Sequence, residues 1–274
     1  KPYLPLLLAD MFCALLVAAI ALLLPLLARE ITKLVTDSPT PAALGQVYTL
    51  GAGMLLLMAL YAACGLFVDY RGHMMGGLME TDMRRELFAH YEKLSFRFYD
   101  EHKTGQLMTR LTHDTWMLSE LYHHGPEDFI ISLLKFVGAF VILFTINPSL
   151  TSAVFLSLPF AALYAVYFGR RMNAALRQSR DRIGDVNAQV EDTLAGIRVV
   201  ASFTNEAMEA EKFNRENRRL FESRRDGYRS EAYFDTGMTA FTQLITVSVV
   251  VGGAVAIVNG VLDAADLVTY LLYV

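Results

Sequence analysis

Residues 4–28 read LPLLLADMFCALLVAAIALLLPLLA, a run in which Asp10 is the only charged side chain. A helix of about 20 apolar residues crosses the roughly 30 Å hydrocarbon core of a bilayer, so this run is long enough to span a membrane. Four further runs have the same character: Leu44–Val68, Phe129–Ile146, Leu150–Phe168 and Gly237–Val258. The sequence therefore predicts an all-α protein that crosses a membrane several times.

A sixth apolar run begins at Leu267 and reaches the end of the sequence at Val274. This run is too short for a complete span. We expect residues 267–274 to be the start of a sixth membrane helix.

Composition supports the same class of protein. Hydrophobic residues make up 54% of the 274 residues and charged residues 19%, whereas a soluble domain has about 45–50% apolar and about 25% charged residues. The net charge of −4 argues against a nucleic-acid partner, which would require a basic surface. Cys13 and Cys64 lie in separate apolar runs, so we expect neither a disulfide framework nor a thiol-bound metal.

Two long polar segments, residues 69–128 and 169–236, separate the second run from the third and the fourth from the fifth. Apolar side chains recur in both at helical spacing, which predicts helices rather than open loops. The two series are Met75, Met79, Met83, Leu87 and Tyr91, then Ile183, Val186, Val190, Leu194 and Ile197. Because an arm of about 25 residues is ~37 Å long, we expect each segment to form a helical hairpin that extends well beyond the bilayer.

The distribution of basic residues predicts the orientation. Of 24 Lys and Arg residues, seven lie between residues 69 and 128 and thirteen between residues 169 and 235. Basic residues are retained on the cytoplasmic side of a membrane. We therefore expect both hairpins and the N-terminus to be cytoplasmic, in a multi-pass protein of the cell membrane.

The first hairpin is interrupted by LSFRFYDEHKTG, residues 94–105. Ser95 is a candidate N-cap for a short helix, and Gly105 is expected to supply the flexible backbone of a sharp reversal. Three aromatic residues, Phe96, Phe98 and Tyr99, then lie at the tip. Exposed apolar rings mark a contact surface, although the same rings could instead close the hairpin's own small core.

The second hairpin is interrupted at residues 196–206, which read GIRVVASFTNE. A glycine, β-branched residues and one aromatic residue again mark the tip. Two similar tips indicate two docking points for another protein.

These two interruptions resemble the intracellular loops of ABC exporters. LSFRFYD at residues 94–100, followed by TGQLMTRLTHD at residues 104–114, is similar to the first loop of that family. The stretch from Glu191 through Gly196 to Phe203 and Glu206 is similar to the second loop. The resemblance covers essentially the whole chain, since the number of spans, the loop lengths and the order of both motifs agree.

The resemblance implies an ABC exporter-type transmembrane domain of six membrane helices, over residues 1–274. In that family, short coupling helices at the loop tips bind nucleotide-binding domains that use ATP and Mg²⁺. It assigns coupling roles to Phe96, Phe98, Tyr99, Asp100, Val200, Ser202, Phe203 and Glu206. Ala201 stands where members often carry Lys, so an ionic contact there is in doubt.

Four further residues are expected to support the coupling region: Gly105, Arg110, Asp114 and Gly196. Arg110 and Asp114 are four positions apart and would face each other on a helix. The resemblance also implies a second transmembrane half, identical or different. The lipid bilayer and a hydrophobic small molecule, lipid or peptide substrate complete the expected partners.

No catalytic residue is predicted in this chain. The sequence contains no G-x-x-x-x-G-K-[ST] motif, so ATP hydrolysis would require the separate nucleotide-binding domain. The six histidines lack metal-ligand spacing, and we expect no metal site and no cofactor held by the chain itself. In particular, His123 and His124 adjoin on a helix, point in different directions and are expected to be surface residues.

Polar side chains within membrane spans are candidates for function because they are costly to bury in lipid. Asp10, Lys135 and Gln243 are therefore possible pathway residues. Asp10 and Lys135 lie near the ends of their spans, and we expect them rather to extend toward the headgroups.

The predicted function is to form half of an exporter's translocation pathway and to couple ATP hydrolysis in a separate domain to alternating access. The substrate would be hydrophobic or amphipathic. The alternative is a membrane sensor domain that relays a signal to a cytoplasmic effector. An intramembrane enzyme is disfavoured, since paired carboxylates or histidine clusters are not visible at span depth in the sequence.

Overall fold

The computed structural model describes residues 2–37, 40–102 and 104–274, with the side chain of Ala42 left out. These residues form helices and connecting turns, without a strand, as the sequence predicts. The α-helices are α1 (Leu4–Asp37), α2 (Pro41–Phe67), α3 (His73–Tyr91), α4 (Phe96–Glu101), α5 (Thr104–Thr109), α6 (Thr115–Ile146), α7 (Pro148–Ala195), α8 (Ile197–Ser202), α9 (Glu206–Val258) and α10 (Ala264–Tyr273). Two π-helical turns, Val68–Gly72 and Arg110–Asp114, join α2 to α3 and α5 to α6.

Five helical stretches of the described chain are long and apolar enough to cross a membrane. They contain the five predicted spans. The helices α7 and α9 have 48 and 53 residues, which corresponds to about 72 and 80 Å. Both therefore exceed the thickness of a bilayer, and their polar halves must lie outside it.

The chain divides into two compact units. The first comprises Lys1–Pro148 and Ala256–Tyr273, and α1 packs there against α2, α6 and α10. Small side chains allow this close packing: Ala14 and Ala18 of α1 are buried, and Gly138 of α6 contacts the side chain of Leu22. The phenol of Tyr270 donates to the backbone carbonyls of Leu143 and Asn147 at 2.9 Å, which holds α10 against the end of α6.

The second unit comprises Ser149–Val255. Here α7 and α9 run antiparallel and are joined by the short helix α8. The hydroxyl of Tyr164 on α7 donates to the backbone carbonyl of Tyr233 on α9 at 2.6 Å. Nearer α8, Thr193 on α7 donates to the carboxylate of Glu209 on α9 at 2.8 Å. Contacts at both levels align the two helices as one hairpin.

Candidate functional site

The first hairpin ends in α4, a separate helix of six residues that begins directly after Ser95. Phe96 faces away from the hairpin, with 91% of its surface exposed. Asp100 is also exposed. The tip therefore presents one large apolar ring and one carboxylate to the outside of the hairpin.

The other two aromatic residues of α4 are held by the hairpin itself. The ring of Phe98 stacks on His102 with a centroid distance of 4.1 Å, and it meets Tyr99 edge to face at 5.5 Å. The hydroxyl of Tyr99 donates to the backbone carbonyl of Tyr91 at the end of α3. Both interpretations of the aromatic cluster thus apply, because Phe98 and Tyr99 close the tip whereas Phe96 is free to contact a partner.

Two details of this interruption differ from the prediction. Ser95 does occupy the N-cap position, but its side chain makes no capping hydrogen bond. Gly105 does not form the reversal, since it is the second residue of α5 and positive φ among the described glycines occurs at Gly260. The chain leaves α4 through extended backbone at His102, with φ −124° and ψ 135°. Glycine is thus not needed at position 105 for the turn.

The expected pairing of Arg110 with Asp114 is wrong. These residues bound the second π-helical turn, and no ion pair joins the two exposed side chains in the described structure. A π-helix spaces its hydrogen bonds five residues apart, so residues four apart no longer stand directly above each other. A separate contact supports this region: the Arg84 guanidinium on α3 donates to the backbone carbonyl of Leu111 at 3.3 Å.

The second hairpin ends in α8, again a separate six-residue helix. The interruption lies where the sequence predicts it, because Gly196 is the N-cap residue between α7 and α8. Phe203, directly after the helix, has 72% of its surface exposed. Ser202 is exposed as well, and its hydroxyl donates to the backbone carbonyl of Arg198 at 2.7 Å.

An apolar cavity of about 340 Å³ lies beneath α8 between α7 and α9. Val200 and Glu206 line it, together with Leu194 and Phe213. Val200 is half-buried and points toward the hairpin, whereas Val199 and Ile197 are exposed. Ile197 lines the same cavity, so the outward apolar surface of this tip is formed by Val199 and Phe203.

Sequence reasoning missed Val199 as a surface residue of the second tip, and His102 as the stacking partner of Phe98. Ile197 lies with the apolar series of α7, as its spacing predicts, since it lines the cavity together with Val190 and Leu194.

Hydrogen bonds to the carboxylate of Glu209 join α7 and α9 at the base of the second tip, just below α8. Lys212 donates to Oε1 of Glu209 at 2.6 Å, and Thr193 and Gln189 donate to Oε2 at 2.8 and 3.2 Å. The hydrogen bonds from Lys212 and Thr193 hold the pKa of Glu209 below its ordinary value of 4.5. A carboxylate that stays charged keeps α7 and α9 joined just below α8.

The three polar residues predicted within spans have different surroundings. Asp10 does not extend toward the headgroups, since it is fully buried, and that expectation is wrong. Lys135 is half-buried and Gln243 is exposed. His123 is 1% exposed, so the expectation that it is a surface residue is also wrong. Asp10 and His123 lie close together, a proximity that the sequence did not indicate.

Long apolar helices whose polar extensions form two hairpins, each ending in a short tip helix, define a multi-pass α-helical membrane protein. Comparison with known proteins gives the family. The chain belongs to the ABC transporter transmembrane region family, which it matches over residues 7–274. The resemblance of the two tip motifs to ABC exporters is thereby confirmed at the level of the family.

Relatives are bacterial and eukaryotic. The chain is 36% identical to YwjA of Bacillus subtilis (strain 168), an uncharacterized ABC transporter ATP-binding protein, over 99% of this chain and 47% of YwjA. It is 24% identical to human ABCB9, an ABC-type oligopeptide transporter, over 70% of this chain and 25% of ABCB9. It is 27% identical to the mitochondrial ATP-dependent permease MDL1 of Schizosaccharomyces pombe (strain 972 / ATCC 24843), over 81% of this chain and 30% of MDL1. This chain thus spans about half the length of YwjA and less of the others.

Proposed function

We propose that this chain forms half of the translocation pathway of an ATP-driven exporter. In this proposal, α4 and α8 are coupling helices that bind nucleotide-binding domains, which use ATP and Mg²⁺. Closure of those domains pushes on the two tips, and the long hairpins transmit the movement to the spans. The pathway would then alternate between inward-facing and outward-facing states.

The observation that carries this proposal is that each polar hairpin ends in an isolated six-residue helix with an exposed aromatic side chain beside it. Phe96 and Phe203 contact little of their own hairpins. Large apolar rings in such positions are typical of anchors that fill a partner's pocket. Contacts within each hairpin, from Tyr99 to Tyr91 and from Thr193 to Glu209, keep the tips rigid enough to transmit force.

The orientation, the partners and the substrate class belong to the same proposal. Basic residues are concentrated in the two hairpins, which supports a cytoplasmic location for both tips and the N-terminus in the cell membrane. A second transmembrane half, identical or different, would complete the pathway. The spans carry few charged side chains, which favours a hydrophobic or amphipathic substrate such as a lipid, drug or peptide. Lys135 and Gln243 stay candidates for lining its path, whereas Asp10 is fully buried.

The test is to separate ATP hydrolysis from transport in the full-length protein reconstituted into liposomes. The variants are Phe96→Ala, Tyr99→Ala and Phe203→Ala, and the probes are rhodamine 6G and a fluorescent phospholipid. Loss of an anchor residue is expected to weaken docking about tenfold, equivalent to about 1.4 kcal/mol. The number of ATP molecules hydrolysed per probe transported should rise, while the protein keeps its helical content.

The matched control is Phe221→Ala on α9, which removes an equally large exposed ring away from the tips. Wild-type coupling in this control and uncoupling in the tip variants would support the proposal. If all tip variants transport probe with the wild-type ATP requirement, α4 and α8 are not coupling helices. The sensor alternative would be supported instead if the full-length protein neither hydrolyses ATP nor transports a probe, but relays a membrane stimulus to a cytoplasmic effector.

A further inference from the structure

Three ionisable side chains from distant parts of the sequence meet inside the first unit. Asp10 of α1 is 0% exposed, and His123 and Glu127 of α6 are 1% and 6% exposed. His123 and Glu127 are four residues apart and so share one face of their helix. Nδ1 of His123 lies 3.8 Å from Oδ2 of Asp10 and 3.9 Å from Oε2 of Glu127.

These groups lack the partners that buried polar atoms ordinarily have. Within the described residues, no hydrogen bond reaches either carboxylate oxygen of Asp10, either ring nitrogen of His123, or Oε2 of Glu127. The distances around Nδ1 exceed the 2.7–3.2 Å range of a hydrogen bond. Leaving a buried polar group unpaired is costly, and a buried unpaired charge costs far more. The cluster therefore requires something between its members.

The backbone leaves room for the imidazole at one position. Gly72 ends the π-helical turn Val68–Gly72, and a Cβ there would stand 2.5 Å from Nε2 of His123 and 3.1 Å from Oδ1 of Asp10. A side chain at position 72 would thus displace the ring. Single-turn π-helices occur frequently at functional sites, and here the turn brings a glycine to the cluster.

We propose that Asp10, His123 and Glu127 form a binding site for a divalent transition-metal ion. One ligand atom from each residue lies within 4.8 Å of the other two. An ion with bonds of about 2.0–2.2 Å to nitrogen and oxygen fits among these ligand atoms once they move slightly closer together. One imidazole and two carboxylates are a donor set that suits Zn²⁺ or Mn²⁺, and the ion's charge offsets that of both carboxylates.

A second set of histidines connects this site with the surface. His73 and His124 pack against the ring of His123, with centroid distances of 5.3 and 4.5 Å. Ligand nitrogens of the three histidines also lie within 4.8 Å of one another. His73 is exposed and His124 is half-buried. An ion captured by His73 and His124 could pass to the inner site through exchange at His123.

The burial of the inner ligands indicates a resident ion rather than a transported one. The site joins α1 to α6 across residues that are 113 positions apart in the sequence. Metal ligands from both helices would fix their relative position, since a bound ion adds its binding free energy to the folded state. The site would therefore stabilise the packing of the first span against the third.

The first test uses the full-length wild-type protein in lipid nanodiscs, stripped with EDTA and dialysed against Zn²⁺, Mn²⁺ or Mg²⁺. Elemental analysis should find one Zn²⁺ or Mn²⁺ per chain and no tightly held Mg²⁺. X-ray absorption of the zinc-loaded protein should show nitrogen and oxygen ligands at about 2.0–2.2 Å. Sulfur ligands at about 2.3 Å would place the ion at cysteine rather than at Asp10, His123 and Glu127 and overturn the proposal, as would the absence of bound metal.

Variants then locate the ion. Asp10→Asn, His123→Gln and Glu127→Gln should each weaken Zn²⁺ binding at least about tenfold, because even changes beyond the direct ligands cost 10–100-fold. Asp128→Asn removes the adjacent exposed carboxylate and should bind as the wild type does. Each variant is checked for folding by size-exclusion chromatography and far-UV circular dichroism.

Gly72→Ala provides a variant that keeps all three ligands. Its Cβ displaces His123, so zinc affinity should fall by a similar factor. Gly77→Ala is the matched control, since a Cβ there meets no atom within 4 Å. Equal zinc affinity in Gly72→Ala, Gly77→Ala and the ligand variants would overturn the proposal. This outcome differs from failure of the exporter proposal, because metal content is measured without ATP or transport.

Discussion

The hydroxyl of Tyr164 on α7 occupies the space into which a side chain at position 237 of α9 would project. The same hydroxyl donates to the backbone carbonyl of Tyr233, one turn before Gly237. One glycine therefore permits both the close approach of the two helices and the hydrogen bond between them. The rings of Tyr164 and Phe241 also meet, with a centroid distance of 5.4 Å, so the contact between the two helices continues along α9.

Gly237→Ala should destabilise the hairpin of the second unit, because the added Cβ forces Tyr164 from its position. The expected cost is about 1–3 kcal/mol, the range for overpacking a well-filled interface. A thermal melt followed by far-UV circular dichroism would measure it as a lower apparent Tm.

The control for this prediction is Gly184→Ala on α7, where the new Cβ meets no atom within 4 Å. That variant should gain about 0.5–1 kcal/mol from helix propensity. Tyr164→Ala in the Gly237→Ala background should restore part of the loss, because the ring atoms Cζ and Cε1 would also clash with the new Cβ. Independent, additive effects of the two changes would contradict the clash.

Asp266→Asn should weaken the attachment of α10 to α1. Nε of Arg29 lies 2.5 Å from Oδ1 of Asp266, and Lys33 adds a longer contact of 3.9 Å. Because Asp266 is nearly buried, loss of this charged hydrogen bond is expected to cost about 1–3 kcal/mol. Chemical denaturation of the purified protein would show it as a lower midpoint.

Asp263→Asn is the matched control, since the side chain of Asp263 is 71% exposed and lies 3.7 Å from Lys33. An exposed pair of this kind contributes less than about 1 kcal/mol. Equal losses in the two variants would show that the short Arg29–Asp266 bond has no special role.

Regular features of the fold could be predicted from the sequence because they repeat. The apolar run at residues 4–28 determines a helix through many similar residues, and the series from Ile183 to Leu194 does so through its spacing. The break at Gly196 was predicted because glycine interrupts a helical series locally. Each of these signals lies within one stretch of chain.

Features that depend on tertiary contacts could not be predicted in this way. Gly105 carries the signal of a turn, but the glycine is helical and the backbone is already extended at His102. The π-helical turn separates Arg110 from Asp114 although their spacing suits an α-helical pair. Asp10 and His123 meet only because α1 packs against α6, and nothing in either local sequence indicates the other.

Acidic pH should loosen the base of the second tip. The pKa of Glu209 is lowered by its bonds with Lys212 and Thr193, so its contribution to stability is present above the unfolded-state pKa. That contribution is lost as pH falls from about 4.5 through the lower folded-state value. The apparent Tm should therefore fall between about pH 5 and pH 3, and Glu209→Gln should make this fall smaller.

Glu211→Gln is the control for the acid response. Glu211 is exposed on the same helix, and the structure records no hydrogen bond or ion pair for its carboxylate in the described part of the chain. This variant should keep the wild-type difference between about pH 5 and pH 3. A wild-type pH response in Glu209→Gln would contradict the role of that carboxylate.

Thr204→Gly should stabilise the second tip. Thr204 follows the C-cap residue Phe203 with φ 52°, in the left-handed region that glycine prefers. The amides of Thr204 and Asn205 donate to the carbonyls of Ala201 and Val200 at 3.3 and 3.0 Å, which is the Schellman arrangement of a helix end. Placing a β-branched residue there costs about 1–2 kcal/mol relative to glycine.

Hydrogen exchange measures this effect locally. Amides of residues 197–205 should exchange about fivefold more slowly in Thr204→Gly, as a gain of about 1 kcal/mol requires. Thr204→Ala is the matched control, because it removes the β-branch but keeps the Cβ that disfavours positive φ. If alanine slows exchange as much as glycine does, the strain lies in the threonine side chain rather than in the left-handed backbone.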